Sequence, residues 1–390
     1  MGFRTYAIIF LIVSIFAYAI YNLVTFLDFN GQYVEINTDS CVKIKGIIGA
    51  EDMTRVGQFL IASSNDNLKD IFFPDKNDRG AIYVINPDTE SFRKLKLINF
   101  PKEIGFRPHG ISYKDGFLYV INHAFSQGGE RVEVFKHPTH DSSSPDLSYD
   151  GMELEYRYSI PFDDYHLGRL NDLTVTNTDE HNDEIYITHS SPVTDSKEGR
   201  DVSLLGKIKN LFFIAFKIKN TYVYYCKGIN ESGKAKCKAI LGTQAEMNNG
   251  INYNSKKDYI YVAKTVDKKL TTYKIDEKDR SVLHLIKEID LRFYPDNIDF
   301  NEEDHSLTIG VFNRGIDFLN WLDLYEKNKH IVSNFTYWGG AISVNIFTYK
   351  TKTIIMQKDK LAATSVGVQV GKKIVLGSFS DDGILFCYIN

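Results

Sequence analysis

The sequence predicts an all-β fold, a six-bladed β-propeller with a central tunnel, set behind an N-terminal apolar helix. Three observations lead there. A turn followed by a short aromatic or β-branched run recurs six times. Oxygen-bearing polar motifs precede these runs in a common phase. A charge-free stretch long enough to cross a bilayer lies within the first 28 residues.

That stretch is Tyr6–Leu27, 22 residues broken only by Ser14, Asn22 and Thr25. Its length spans a hydrocarbon core as a helix. Arg4 precedes it and Asp28 follows it, so the positive-inside tendency puts Met1 in the cytoplasm and the rest in the lumen or outside. Ala17-Tyr18-Ala19 fits the small-x-small pattern of a cleaved signal, which would release a secreted domain. The apolar run nevertheless continues eight residues past Ala19. The expected division is therefore a stub and signal anchor over 1–28 and one propeller domain over 29–390. Tyr6 stands where N-myristoylation needs Ser or Thr.

Passage through the secretory pathway makes disulfides expected. Cys41 begins the domain and Cys387 ends it, so pairing them would tie the two ends together. Cys226 and Cys237 are eleven apart and could close a local loop. No CxxC spacing occurs, which argues against a zinc site. Asn230-Glu231-Ser232 and Asn334-Phe335-Thr336 are glycosylation sequons. A net charge of −4 without a basic stripe gives no reason to expect a nucleic-acid partner.

The recurring runs start at Gly57-Gln58-Phe59, Gly116-Phe117-Leu118, Asp183-Glu184-Ile185, Asp258-Tyr259-Ile260, His305-Ser306-Leu307 and Gly371-Lys372-Lys373. Their spacing varies from about 45 to 75 residues, with the variation in polar insertions. Six units of four strands each describe a propeller, whereas a sandwich has fewer strands and no long period. Asp141–Tyr149, rich in Asp, Ser and Pro, reads as a surface loop. Residues 203–216 read as a helix with Leu204, Leu205, Ile208, Leu211, Phe212 and Ala215 on one face. That face would pack on the blades or lie at a membrane surface beside the site's mouth.

Glu51, His109, Asn171, Asn249 and Asn297 lie 7 to 14 residues before a unit's strand, and Thr364-Ser365 takes that place in the sixth unit. One inward strand per blade would bring them to a common axis. Asn171-Asp172, Glu51-Asp52 and Asp296-Asn297 are adjacent oxygen donors. A lone pair of this kind marks a turn. Successive side chains of a strand point to opposite sides, so such pairs serve two centres more easily than one. Carboxylates, Asn amides and backbone carbonyls are the donors a hard cation such as calcium takes.

Gly49-Ala50-Glu51-Asp52, Pro108-His109-Gly110-Ile111-Ser112, Val120-Ile121-Asn122-His123, Leu170-Asn171-Asp172, Asn249-Gly250-Ile251-Asn252 and Asp296-Asn297-Ile298 together resemble the paraoxonase/arylesterase family, from about Cys41 to the C-terminus. The resemblance implies a six-bladed propeller whose tunnel holds two calcium ions, and hydrolysis of lactones and aryl esters. Motif by motif, it implies a catalytic calcium held by Glu51, Asn171, Asn249, Asp296 and Asn297. A structural calcium would use Asp52, Asp172 and the backbone oxygen of Ile111. Asp296-Asn297 stays with one ion, against the alternation rule. His109 and His123 match the family's histidine pair, with His109 taking a proton from water and His123 orienting or relaying. Calcium-bound carboxylates such as Glu51 or Asp296 are rival bases. The chain departs from the better-known members at Val311-Phe312, where they carry a free Cys followed by His, and in having Cys226 and Cys237. Some membrane-bound relatives resemble chaperones of ion-channel assembly, and that is the alternative function the resemblance implies.

Overall fold

Alternating apolar positions filled by Val, Ile, Tyr and Phe favour short strands with one face against a neighbouring sheet. The computed structural model describes residues 3–137, 152–162, 168–195, 199, 204–229, 233–331 and 335–389. They form six sheets, five of four strands and one of five. The six runs read from the sequence are the second strands of the blades: Phe59–Ser64, Phe117–His123, Glu184–Ser191, Tyr259–Lys264, Ser306–Phe312 and Lys373–Ser378. The fifth strand of the second sheet, Lys96–Ile98, pairs parallel to Glu153–Pro161 and was not anticipated. The expected loop at 141–149 and both sequon asparagines, Asn230 and Asn334, lie outside the described residues.

Apolar wedges fill the gaps between neighbouring blades. Tyr119 and Ile121 of the second blade meet Leu173 and Ile185 of the third, and Leu60 and Ile85 of the first meet Val366 and Val375 of the last. The inner strands are Ala50–Val56, Pro108–Lys114, Arg169–Asn177, Asn248–Asn254, Tyr294–Asn301 and Thr364–Val370. They neighbour one another in a closed ring around the axis.

The ring is closed by the chain's two ends. Val42–Ile48 pairs antiparallel with Asp382–Tyr388 and supplies the outer strand of the last blade. Cys41 and Cys387 are disulfide-bonded across this seam, as the sequence predicted. Ser40 Oγ donates to the Tyr388 backbone oxygen and accepts its N–H, both at 2.9 Å. Cys226 and Cys237 are bonded between directly opposed residues of the third blade.

Two helices sit together on one face. Phe3–Leu27 is exposed over most of its length but docks at its end. Asn22 is buried and donates from Nδ2 to the Ala215 backbone oxygen at 2.8 Å. Tyr294 donates its hydroxyl to the Phe26 backbone oxygen at 2.9 Å. The second helix is Leu204–Phe216. Of its predicted apolar face only Ala215 is buried, and Leu204 and Leu205 are 75% exposed. The face therefore does not pack on the blades; it points outward beside the terminal helix. A further helix, Gly315–Asn328, caps the propeller through Trp321 and Tyr325.

Opening the Cys41–Cys387 bridge frees a loop of 346 residues, and opening Cys226–Cys237 frees one of 11. Cys41→Ser with Cys387→Ser is expected to cost up to about 5 kcal/mol, against about 3 kcal/mol for the local pair. Thermal unfolding of the two double variants, with non-reducing peptide maps of the parent, checks both the pairing and the order.

Candidate active site

Every inner strand breaks register with its neighbour at the same place. The breaks fall between Ala50 and Met53, Pro108 and Ile111, Leu170 and Leu173, Asn248 and Ile251, Pro295 and Ile298, and Thr364 and Val366. They bracket Glu51-Asp52, His109-Gly110, Asn171-Asp172, Asn249-Gly250, Asp296-Asn297 and Ser365. A bulge re-aims side chains and bends the strand toward its neighbour. Glycine follows where two blades come closest. A Cβ on Gly110 would lie 2.5 Å from the Asn171 backbone oxygen, and one on Gly250 would lie 2.4 Å from that of Asp296.

Glu51, His109, Asn171, Asn249 and Asp296 line the polar part of a cavity of about 390 Å³ on the face that carries the helices. Asn297 is buried beside it, its Nδ2 donating to the Glu51 backbone oxygen and to Glu51 Oε1, each at 2.9 Å. Asn171 Nδ2 lies 3.3 Å from His109 Nε2, and Asn249 hydrogen-bonds the Asp296 carboxyl. With the amide nitrogens so engaged, Oδ1 of Asn171, Asn249 and Asn297 is buried and accepts no hydrogen bond among the described residues. A buried amide oxygen without a donor is costly unless something electropositive meets it. Aromatic side chains also line the cavity, Phe26, Phe213, Phe312, Phe318, Tyr337 and Phe379, with Arg169 and Glu246 among its further polar residues.

Asp52, Ile111 and Asp172 line a cleft of about 170 Å³ that does not share these residues. The alternation expected for Glu51-Asp52 and Asn171-Asp172 is seen in this lining, whereas Asp296 lines the upper cavity and Asn297 is held on Glu51. Asp52 accepts the N–H of Met53 on Oδ1 and of Ile111 on Oδ2, both at 2.8 Å. Asp172 accepts those of Leu173 and Ile251, both at 2.7 Å. Each carboxylate thus joins its own bulge to the next blade's.

Burial, and then the neighbouring carboxylates, push the Asp52, Asp172 and Asp296 carboxyls well above the usual range. Among the described residues, no lysine or arginine acts on the three. Glu51 adds a fourth carboxyl group to the same axis; it is buried like Asp52 and Asp172, while Asp296 is half-buried. Such a cluster fits a cation. The upper donor set, two carboxylates and three amide oxygens, has the hard-oxygen chemistry of calcium. At the lower cleft the match is one of charge, because the carboxylate oxygens already accept backbone N–H groups.

His109 stands on the inner strand of the second blade, and His123 ends its second strand. Both are buried, with ring centroids 5.0 Å apart, and His109 Nδ1 is 3.6 Å from Glu51 Oε2. Glu130, Asp195 and Arg169 were not singled out in the sequence. His123 Nδ1 lies 2.6 Å from Glu130 Oε1. His123, Glu130 and Asp195 bring ligand-type atoms within 4.8 Å of one another. Asp195 accepts from Arg169 Nε on Oδ1 at 2.6 Å, so an ion pair adjoins this group. The signal that finds Glu130 is hairpin register: it lies directly across the ladder from His123.

Residues 33–333 match the family model described as Arylesterase. No curated protein matches the chain. Among solved structures, a luciferin-regenerating enzyme is similar at 12% identity and a TM-score of 0.47, over 92% of this chain and 96% of that one. A periplasmic gluconolactonase from Pseudomonas aeruginosa is similar at 11% identity and a TM-score of 0.42, over 87% and 88%. A putative 6-phosphogluconolactonase from Bacteroides uniformis gives 10% identity and a TM-score of 0.41, over 77% and 85%.

The raised carboxyls bear on stability. A native state whose carboxyl pKa values exceed the unfolded ones binds more protons than the unfolded chain, so stability falls as pH rises above the ordinary carboxylate value near 4. In chelator, the thermal midpoint is therefore expected to be higher at pH 5 than at pH 8. Calcium that binds the native state should raise it, and by more at pH 8. Melting curves at both pH values, with and without calcium, check the sign.

Proposed function

The chain belongs to the arylesterase family, and from that premise we propose that it is a calcium-dependent hydrolase of lactones and aryl esters held at a membrane. The observation that carries this reading is the set of three undonated amide oxygens beside Glu51 and Asp296, in an aromatic cavity next to a buried histidine. Glu51, Asn171, Asn249, Asp296 and Asn297 would hold the catalytic calcium. Asp52, Asp172 and the Ile111 backbone oxygen would hold a structural one. When bound, the upper ion supplies positive charge that polarises an ester carbonyl and offsets the oxyanion.

The remaining work falls to the protein's own side chains. His109 takes the proton of an attacking water, and His123 orients it and shares that proton. The aromatic wall excludes bulk water and receives the acyl chain or aryl ring, in a volume suited to a small organic ligand. Phe312 forms part of that wall, so the Val311-Phe312 departure bears on substrate choice. Phe26 and Phe213 place both outward-facing helices at the cavity. With Phe3–Leu27 crossing the bilayer and Leu204–Phe216 lying on it, the propeller faces the lumen or exterior of the secretory pathway, consistent with two disulfides. A lipophilic substrate then enters from the membrane side.

Turnover of several lactones and aryl esters by the purified full chain, with calcium and with chelator, tests the reading. Activity should appear with calcium and vanish in chelator. A calcium-loaded protein inactive on all of them would end it.

Variants separate the parts. Asp172→Ala should lower the thermal midpoint strongly, because a buried charged donor is lost between two blades. Asn249→Ala should cut turnover with a smaller loss of stability. His109→Gln should reduce kcat by roughly 10²–10⁴-fold while calcium binding persists. Full activity in His109→Gln would move the base role to Glu51 or Asp296.

A further inference from the structure

We propose that Glu130 is a positioning residue that fixes the tautomer of His123 beside His109; this rests on the hydrolase reading above. His123 and Glu130 are directly opposed in the ladder of Phe117–His123 with Glu130–Lys136. Side chains of directly opposed residues on one face of a sheet meet. The turn that joins them is tight, with Phe125, Gly128 and Gly129 at positive φ. The Phe125 ring lies almost parallel to His123 at 6.5 Å and carries the Arg107 guanidinium on its face at 5.0 Å. His123 is thus clamped by its own hairpin with no solvent exposure.

The 2.6 Å contact joins Glu130 Oε1 to His123 Nδ1. An ionised carboxylate only accepts, so Nδ1 must carry the proton and Nε2 must present the lone pair. Arg107 pairs with Asp70, Arg131 with Glu133 and Arg169 with Asp195. As a carboxylate, Glu130 offers the imidazole negative charge. An imidazolium formed in a site without solvent is costly unless an anion lies against it.

The balance of the step is simple. A lone pair on the attacking water's oxygen forms the new bond to the carbonyl carbon while the C=O π pair moves to the carbonyl oxygen. The O–H electrons stay on the water oxygen as its proton passes to the imidazole pair, which becomes cationic while Glu130 remains a carboxylate. The carbonyl then re-forms, and the leaving oxygen keeps the electrons of the broken ester C–O bond and takes the proton back. Glu130 gains and loses no atom; its part is to hold His123 in the accepting form, as the third member of a base–orienter arrangement does.

The test uses the full chain loaded with calcium. Glu130→Gln keeps the side-chain volume but carries an amide that can donate as well as accept, so it no longer dictates the tautomer. It is expected to lower kcat roughly 10–100-fold, the range for an outer partner of a functional His. KM, calcium affinity and thermal midpoint should stay near the parent's, and Glu130→Asp should recover part of kcat. A second readout does not need turnover: the imidazole ¹⁵N resonances of His123, assigned by their loss in His123→Gln. They should report a proton on Nδ1 in the parent and a changed tautomer mixture in Glu130→Gln. If the parent has no turnover but the tautomer shifts, the hydrolase reading fails and the Glu130 assignment stands. Unchanged kcat, an unchanged tautomer, or parallel loss of kcat and thermal midpoint in both Glu130 variants would overturn it.

Discussion

Mutual repulsion among desolvated carboxyl groups on the propeller axis is the constraint around which the centre is built. Glu51, Asp52, Asp172 and Asp296 come from three blades and meet where water is scarce. Two like charges a few ångströms apart in such a setting oppose each other by several kcal/mol. The protein answers with backbone N–H groups from neighbouring blades, given to Asp52 and Asp172, and with the amide of Asn297 on Glu51. Those hydrogen bonds run between blades, so holding the charges and holding the ring together are one task. Arg55 repeats the device at the lower end, donating from Nε and Nη2 to Asp299 of the fifth blade at 3.0 and 2.8 Å.

Much of the architecture was legible because it is written in local pattern. Period-2 runs such as Tyr259–Lys264 announce a second strand, and the polar pairs keep phase with them. Cys41 and Cys387 were readable because they flank the domain. The bulges were not, since a register break is a relation between two strands and neither strand shows it alone. Glu130 escaped for the same reason, being next to His123 through a hairpin rather than through spacing. The helix Gly315–Asn328 also went unread, although its Trp321 is almost wholly buried and donates from Nε1 to Ser380 Oγ at 2.7 Å.

The cavity shows how a repeated scaffold acquires individuality. Its polar part comes from equivalent positions of successive inner strands and so carries the symmetry of the propeller. Its apolar wall does not. Phe26, Phe213, Phe318 and Phe379 come from the terminal helix, the outward-facing helix, the capping helix and a turn of the last blade. Change in those elements can alter what the cavity admits without touching the donors below.

The seam between the first and last strands also sets an order in time. Val42–Ile48 is the earliest strand to be synthesised, and its partner Asp382–Tyr388 is the latest. At roughly 5–20 residues per second, the early strand waits on the order of 20–70 s with unpaired edges. During that wait Cys41 has two other thiols within reach. Cys226 and Cys237 emerge close together on adjacent strands of one blade, where a local bridge forms without waiting for the ring. The local disulfide thereby withdraws both competitors before Cys387 arrives. The shorter bridge acts as a guard for the longer one: were its two thiols left open, Cys41 would meet them before Cys387.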